Sequence, residues 1–248
     1  VEDNLRVEKM RSERLLLNVL PKAIAERLKS SPLYSSNQIS AYKKSDSSIK
    51  SISNLKTDNG TIVADTFEEV TVLFGDIVRF TEFASSVSAN ELVNMLNEIF
   101  SEFDRLADYY DLEKIKTIGD SYMVVGGLPL PRPDHAEAIA SMALEMQRSI
   151  SKFIRPDGTP FEMRIGIHTG QAVAGVIGKK KFTYDLWGDS VNIASRMESQ
   201  GIAGSIQVSD ATYQILKDKY KFESKRTIEI KGKGEMTTYL LIAQTQIE

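Results

Sequence analysis

An α+β sandwich of ferredoxin-like type is what this sequence predicts for its larger part, and three observations predict it. From Asp65 onward the elements run strand, long helix, hairpin, long helix and further strands. Both long helices carry apolar residues at helical spacing. The hairpin is marked by "KIKTI" and "SYMVV" on either side of Gly119-Asp120.

The elements follow in chain order. Residues 2–20 are charged and leucine-rich, and Pro21 stops that helix and opens the next, "PKAIAERLK". Met10, Leu17 and Ile24 lie seven apart, but Glu13 and Arg27 interrupt the alternate positions. A solvated surface helix and a helix paired with its own copy both fit. Residues 1–29 are therefore read as an N-terminal helical segment. Residues 30–64, rich in Ser, Lys and Asn, read as a flexible connector with little to bury, and 65–248 as the main domain.

Within that domain Phe67 to Phe74 is a strand. Ser88 with Glu91 forms a capping box before a helix striped by Leu92, Met95, Leu96, Ile99, Phe103 and Leu106. Asp134 with Glu137 is expected to cap a second helix, with Ile139, Met142, Ala143, Met146, Ile150 and Phe153 on one face. "EMRIGIHTGQAVAGVIG" reads as a strand pair turning near Gly170. Asp189 is expected to cap a shorter helix through Met197, stopped by Gly201. Short strands near Ile206 and Phe222 precede a closing strand, "TTYLLI".

Composition excludes several function classes. The 248 residues include no cysteine, which removes disulfides, zinc-thiolate sites and cysteine nucleophiles. Only two histidines are present, too few for a histidine-rich metal site. A net charge of -3 argues against nucleic acid as a partner. No apolar run approaches the roughly 20 residues of a membrane helix. No secretory signal is visible and the chain opens on Val1, so it is read as a piece of a longer protein whose remainder includes an upstream sensor or membrane region. Cytoplasmic placement is expected, either free or as the cytosolic part of an anchored parent.

The chemistry-bearing residues fall into a few groups. Asp76 ends a strand and Asp120 sits at a hairpin turn, so strands finishing at one sheet edge would bring two carboxylates together. Such a pair repels unless a cation lies between, and oxygen ligands suit Mg²⁺ or Mn²⁺; Asp120 also fits an ordinary Gly-Asp turn. Asn192 and Arg196, four apart on a helix, share a face that suits either an anionic centre or solvent. Lys116 and Asp185 would match the acceptor and donor edge of adenine, or serve as surface charges. Lys231, in "IKGKGE", would reach phosphate or decorate a basic turn. His168 reads as structural, bonded to backbone near the strand turn. A phosphate-binding P-loop is absent, since "GVIGKKKF" lacks the glycine spacing and the Ser or Thr after Lys.

Taken together, "VTVLFGDIVRFTEF", "KIKTIGDSYMVV", "RIGIHTGQAVAGVIG", "YDLWGDSVNIASRME" and "KGKGEMTTYLL" resemble the class III nucleotidyl cyclase catalytic domain, of adenylyl cyclase type, over about Asp65 to Ile242. "LLLNVLPKAIAERL" is similar to the coupling helix that precedes many such domains. The resemblance implies a head-to-tail homodimer with two composite sites that converts ATP to 3′,5′-cyclic AMP and pyrophosphate. It makes Asp76, Asp120 and the Ile77 carbonyl the ligands of two Mg²⁺ or Mn²⁺ per site. The other subunit would supply Lys116 and Asp185 to adenine, Asn192 to the ribose, and Arg196 and Lys231 to phosphates. Guanylyl cyclases of this family carry Glu and Cys at the positions of Lys116 and Asp185. A guanylyl cyclase and a cyclase-like nucleotide-binding module without strong turnover are the alternatives. One departure stands out: the family usually has Gly where this chain has Arg79. Glycine there permits positive φ and close approach of backbone to phosphate; Arg79 would either add a phosphate contact or crowd the turn.

Overall fold

The structure, a computed structural model, describes residues 15–29, 56–57, 60–61, 64–178 and 181–245. The chain divides into two compact units, one comprising residues 1–67 with Val173–Leu186, the other Glu68–Ala172 with Trp187–Glu248. Most of the Ser-rich connector and the first fourteen residues lie outside the described residues, and with them Met10 and Glu13.

In the smaller unit residues 15–17 are helical and a turn at 18–19 separates them from α1 (Lys22–Lys29). Pro21 heads α1, as its missing N–H permits: its carbonyl accepts the Ile24 and Ala25 amides at 3.0 and 2.9 Å. Ile24 is buried and Leu17 is exposed. Arg27 pairs through both guanidinium nitrogens with Asp65. A two-stranded antiparallel piece, β1 (Lys56–Thr57) with β2 (Gly60–Thr61), precedes β3.

An eight-stranded sheet is built from β3 (Ala64–Ile77), β4 (Glu113–Ile118), β5 (Ser121–Gly126), β6 (Met163–Ile177), β8 (Ile206–Ser209), β9 (Tyr220–Ile230) and β10 (Gly234–Gln244), with β7 (Thr183–Trp187) pairing β6. The strand order is β4-β5-β3-β6-β8-β10-β9. The β6–β8 pairing is parallel, with Gly166 opposite Gln207, and the β3–β5, β4–β5, β8–β10 and β9–β10 pairings are antiparallel. The helices are α2 (Phe80–Ser86), α3 (Ala89–Tyr109), α4 (His135–Ile150), α5 (Asp189–Ser199) and α6 (Asp210–Leu216).

The two long helices supply the core that the stripes predict. Ile99, Phe103 and Leu106 of α3 and Ile139, Met142 and Met146 of α4 are buried with Leu73, Tyr122 and Ile165 of the sheet. Each such side chain contributes about 1.5–3 kcal/mol relative to exposure. The capping box is present in full: Ser88 Oγ accepts the Glu91 amide and the Glu91 carboxylate accepts the Ser88 amide.

Several sequence expectations are corrected. "EMRIGIHTGQAVAGVIG" is one 15-residue strand, β6, not a pair. Gly170 lies within it, at a point where a Cβ would sit 2.4 Å from Ser190 Oγ. Asp134 and Asp189 head their helices without capping them through their side chains. Arg132 takes the Asp134 carboxylate, Lys233 takes that of Asp189, and Lys219 takes that of Glu137. His168 bonds a side chain, not backbone: its Nδ1 meets Ser209 Oγ at 2.6 Å. The helix α6 was not anticipated, and β9 is longer than its sequence suggests.

Candidate active site

Val70, Val72 and Leu73 anchor β3 in the interior, which carries Asp76 to the end of the strand beside β5. Asp76 stands opposite Ser121, the first residue of β5. Asp120 immediately precedes Ser121, in a turn made possible by Gly119 at φ 61°. The hairpin thus brings Asp120 against Asp76. Burial, and then the negative charge of Asp76, push the Asp120 carboxyl up to about 6, while the amides of Asp120 itself and of Ile77 pull it down. Ile77, the last residue of β3, thereby joins the same cluster.

Two further residues belong to this cluster and were missed from sequence. Arg164 on β6 donates through Nη2 to Asp76 Oδ2 at 3.2 Å and through Nε to Glu198 Oε1 at 3.1 Å. Burial, followed by the charge of Asp76, raises the Glu198 carboxyl. The usable signal was an arginine inside the apolar strand "EMRIGIH", which requires an anionic partner.

A second group forms on the other side of α5. Met197 and Ile193 pack on Ile228 and Ile230, which fixes the end of β9 beside the helix. Gly232 and Gly234, at φ 81° and 78°, turn the chain tightly into β10. The result is a cleft of about 580 Å³ lined by Asn192, Ser195, Arg196 and Lys231, with Asp189 and Lys233 at one side. Asn192 and Arg196 are exposed, whereas Glu198, two residues on, is buried toward β6. α5 therefore separates the carboxylate cluster from the cationic cleft. Its approach to the sheet depends on Gly166: a Cβ there would lie 1.9 Å from the Glu198 amide nitrogen.

The remaining predicted residues lie on other strands. Lys116 is half-buried on β4 in the larger unit. Asp185 is half-buried on β7 in the smaller unit, where its Oδ1 accepts the Leu186 amide at 2.8 Å. Arg79, just beyond Asp76, adopts φ 53° and ψ 36°, the left-handed conformation that glycine ordinarily supplies.

The carboxylate cluster fits a hard divalent cation. Among the described residues no three His, Cys, Asp or Glu side chains converge on a metal position. Two carboxylates and a neighbouring backbone carbonyl leave coordination positions for water and phosphate oxygens, which is how Mg²⁺ is commonly held.

The family model for the adenylate and guanylate cyclase catalytic domain matches residues 62–243. The chain is 45% identical over 240 residues to an adenylate cyclase of Mycobacterium tuberculosis, covering 97% of this chain and 48% of that protein. It is 39% identical over 244 residues to guanylate cyclase soluble subunit beta-2 of Rattus norvegicus, covering 98% and 32%. The crystal structure of the guanylate cyclase domain of RhGC from Catenaria anguillulae in complex with GTP matches with a TM-score of 0.70 at 40% identity, covering 73% of this chain and 100% of that one. The chain thus spans half or less of the length of these curated relatives.

Proposed function

Since the chain belongs to the adenylate and guanylate cyclase catalytic domain family, we propose that it converts ATP to 3′,5′-cyclic AMP and pyrophosphate at two composite sites of a homodimer. The observation that carries this reading is the Asp76–Asp120 pair, two carboxylates lodged together at the end of β3, where Arg164 offsets the charge of Asp76 and Asp120 still faces a like charge. Two Mg²⁺ or Mn²⁺, held by Asp76, Asp120 and the Ile77 carbonyl, would neutralise the triphosphate and acidify the ribose 3′-hydroxyl when bound.

The chain's own residues do the rest. Lys116 donates to adenine N1 and Asp185 accepts from the 6-amino group. Asn192 holds the ribose, and Lys231 holds the phosphates. The 3′-oxygen forms a bond to the α-phosphorus and loses its proton to solvent. The bond from that phosphorus to the bridging oxygen breaks, and pyrophosphate leaves with the electron pair. Arg196 faces the charge that grows on the leaving group, where a fixed cation is worth most. No protein nucleophile takes part.

The division of labour along α5 supports a shared site. Arg196 and Asn192 face solvent while Glu198 faces the carboxylates through Arg164. One subunit would contribute the cation ligands and its partner the base, ribose and leaving-group contacts. ATP is favoured by the Lys116 and Asp185 chemistry and by 45% identity to an adenylate cyclase. GTP is the second reading, favoured by 39% and 40% identity to guanylate cyclases. We place the domain in the cytoplasm, coupled through α1 to an upstream sensor or membrane region, with no role for nucleic acid.

Purified protein with Mn²⁺ and either nucleotide tests this. Cyclic AMP should form, with activity per subunit rising with protein concentration and turnover of ATP exceeding that of GTP. Nucleotide binding without pyrophosphate release would make the domain a binding module instead, and preferential GTP turnover would make it a guanylyl cyclase.

A further inference from the structure

Beyond Ile77 the sheet ladder ends and the chain must turn; the Arg79 carbonyl accepts the Phe83 amide at 3.2 Å as α2 begins, and the Val78 carbonyl needs a partner from elsewhere. Arg155, from the segment between α4 and β6, supplies that partner and adds a second donor to the Arg79 carbonyl. Its Nη2 donates closely to the Val78 carbonyl and its Nη1 to the Arg79 carbonyl at 3.3 Å. The same segment also accepts the Val78 amide, through the Glu162 carbonyl at 2.9 Å. The guanidinium lies over the Phe161 ring, 4.4 Å from its centre, and Phe161 meets Phe83 of α2 edge-on at 5.0 Å. Arg155 is 7% exposed.

Three features separate this arrangement from ordinary packing. First, the backbone that Arg155 grips is strained: Arg79 is at φ 53°, a conformation that costs a residue with a side chain and persists only where the surroundings impose it. Second, Arg155 Nε is buried without a hydrogen-bond partner among the described residues. A cation held this way is a poor stabiliser compared with an apolar side chain of similar size. Third, burial, and then the positive charge of the solvent-exposed Arg79 side chain, push the Arg155 pKa down from its ordinary value. The acidic residues around Arg155 are Asp157, Glu82 and Glu162. Two arginines in adjacent places, one strained and one buried with an unpaired N–H, are costly for a structural purpose alone.

We infer that Arg155 is a positioning residue for the proposed nucleotide site: by holding the Val78 and Arg79 carbonyls it keeps the turn after Asp76 and Ile77 in its left-handed form and lets Arg79 stand at a position suited to glycine. The activity part of this inference rests on the cyclase reading; the backbone part does not. Lysine cannot grip two carbonyls and stack on a ring at once, because its ammonium is a compact point charge on a flexible stem. Glycine at position 79 would adopt φ 53° unaided, so the need for Arg155 should then fall away.

The test compares wild type, Arg155→Lys, Arg79→Gly and the double variant, by nucleotide turnover and by amide hydrogen exchange followed by mass spectrometry. In Arg155→Lys, kcat/KM for Mn²⁺-ATP should fall about 10- to 100-fold, the scale of a misplaced reacting group. Amides of residues 78–83 should exchange faster while those of residues 139–146 in the core helix stay protected. In the Arg79→Gly background the same lysine substitution should cost much less activity. Equal losses in the two backgrounds, or unchanged exchange at 78–83, would overturn the inference. If the wild-type protein turns over neither ATP nor GTP, the cyclase reading fails, and the exchange comparison still decides whether Arg155 holds the turn. If Arg155→Lys loosens the core helix as well, Arg155 is a general structural residue and the inference fails.

Discussion

Replacing Gly166 by alanine should disable the protein through a single methyl group. Gly166 lies on β6 directly beneath α5, and its φ is not in the left-handed region, so the effect is steric alone. The added Cβ would lie 1.9 Å from the Glu198 nitrogen, 2.5 Å from the Met197 carbonyl carbon and 2.6 Å from the Glu198 Cα. All three are backbone atoms of the helix and cannot rotate away. To reach an ordinary contact the helix must retreat by about 1.5 Å at that point. Overpacking of this kind costs about 1–3 kcal/mol of stability. The helix also carries Asn192, Arg196 and the Glu198–Arg164–Asp76 chain, so a displacement of this size should lower kcat/KM by about 100-fold. Urea unfolding and nucleotide turnover on the same preparation measure both effects. A Gly166→Ala protein with wild-type stability and wild-type turnover would refute the close approach of α5 to β6 and the positioning built upon it.

Two other perturbations have outcomes fixed by the same structure. Burial holds the His168 pKa at about 4, below its usual 6.5, so the unfolded chain takes up a proton that the folded one refuses. Stability is therefore complete above pH 6.5 and falls as pH drops toward 4, by on the order of 3 kcal/mol from this residue. Urea unfolding across that window should show a shallower pH slope in His168→Gln, and an identical slope would remove His168 as the cause. The pair Lys116→Glu with Asp185→Cys should move the kcat/KM ratio from ATP toward GTP; a site that reads hydrogen bonds discriminates by up to roughly 10⁴–10⁵, so an unchanged ratio would exclude these residues from base recognition.

The parts of the fold legible in the sequence are those where local chemistry and tertiary packing agree. Ser88 and Glu91 cap α3 as their spacing requires, and the stripe from Leu92 to Leu106 faces the core because no competing demand acts on it. Asp76 and Asp120 were legible because a strand end and a hairpin turn both lie at the sheet margin. Gly170 misled because a glycine beside a polar residue imitates a turn, whereas its real constraint is Ser190 on a helix twenty residues away. Asp134 and Asp189 have the residue type of a cap, but long-range or neighbouring cations claim their carboxylates. Arg155 and Glu198 carry no local pattern at all. Their roles arise from contacts 76 and 34 residues distant in sequence, to the Arg79 carbonyl and to Arg164. Arg79 lies between these cases: its departure from the glycine of the resembling family marked the position, and its φ of 53° is a conformation that glycine ordinarily supplies.

The shared site is tested most directly by mixing two inactive proteins. Asp76→Ala removes a cation ligand and Arg196→Ala removes the leaving-group contact, and each homodimer should be nearly inactive. Mixed in equal amounts, half of the dimers should be heterodimers with one intact site each, giving about a quarter of wild-type cyclic AMP formation. Activity no greater than the two variants assayed apart, under conditions where heterodimers are shown to form, would contradict a site built from two subunits.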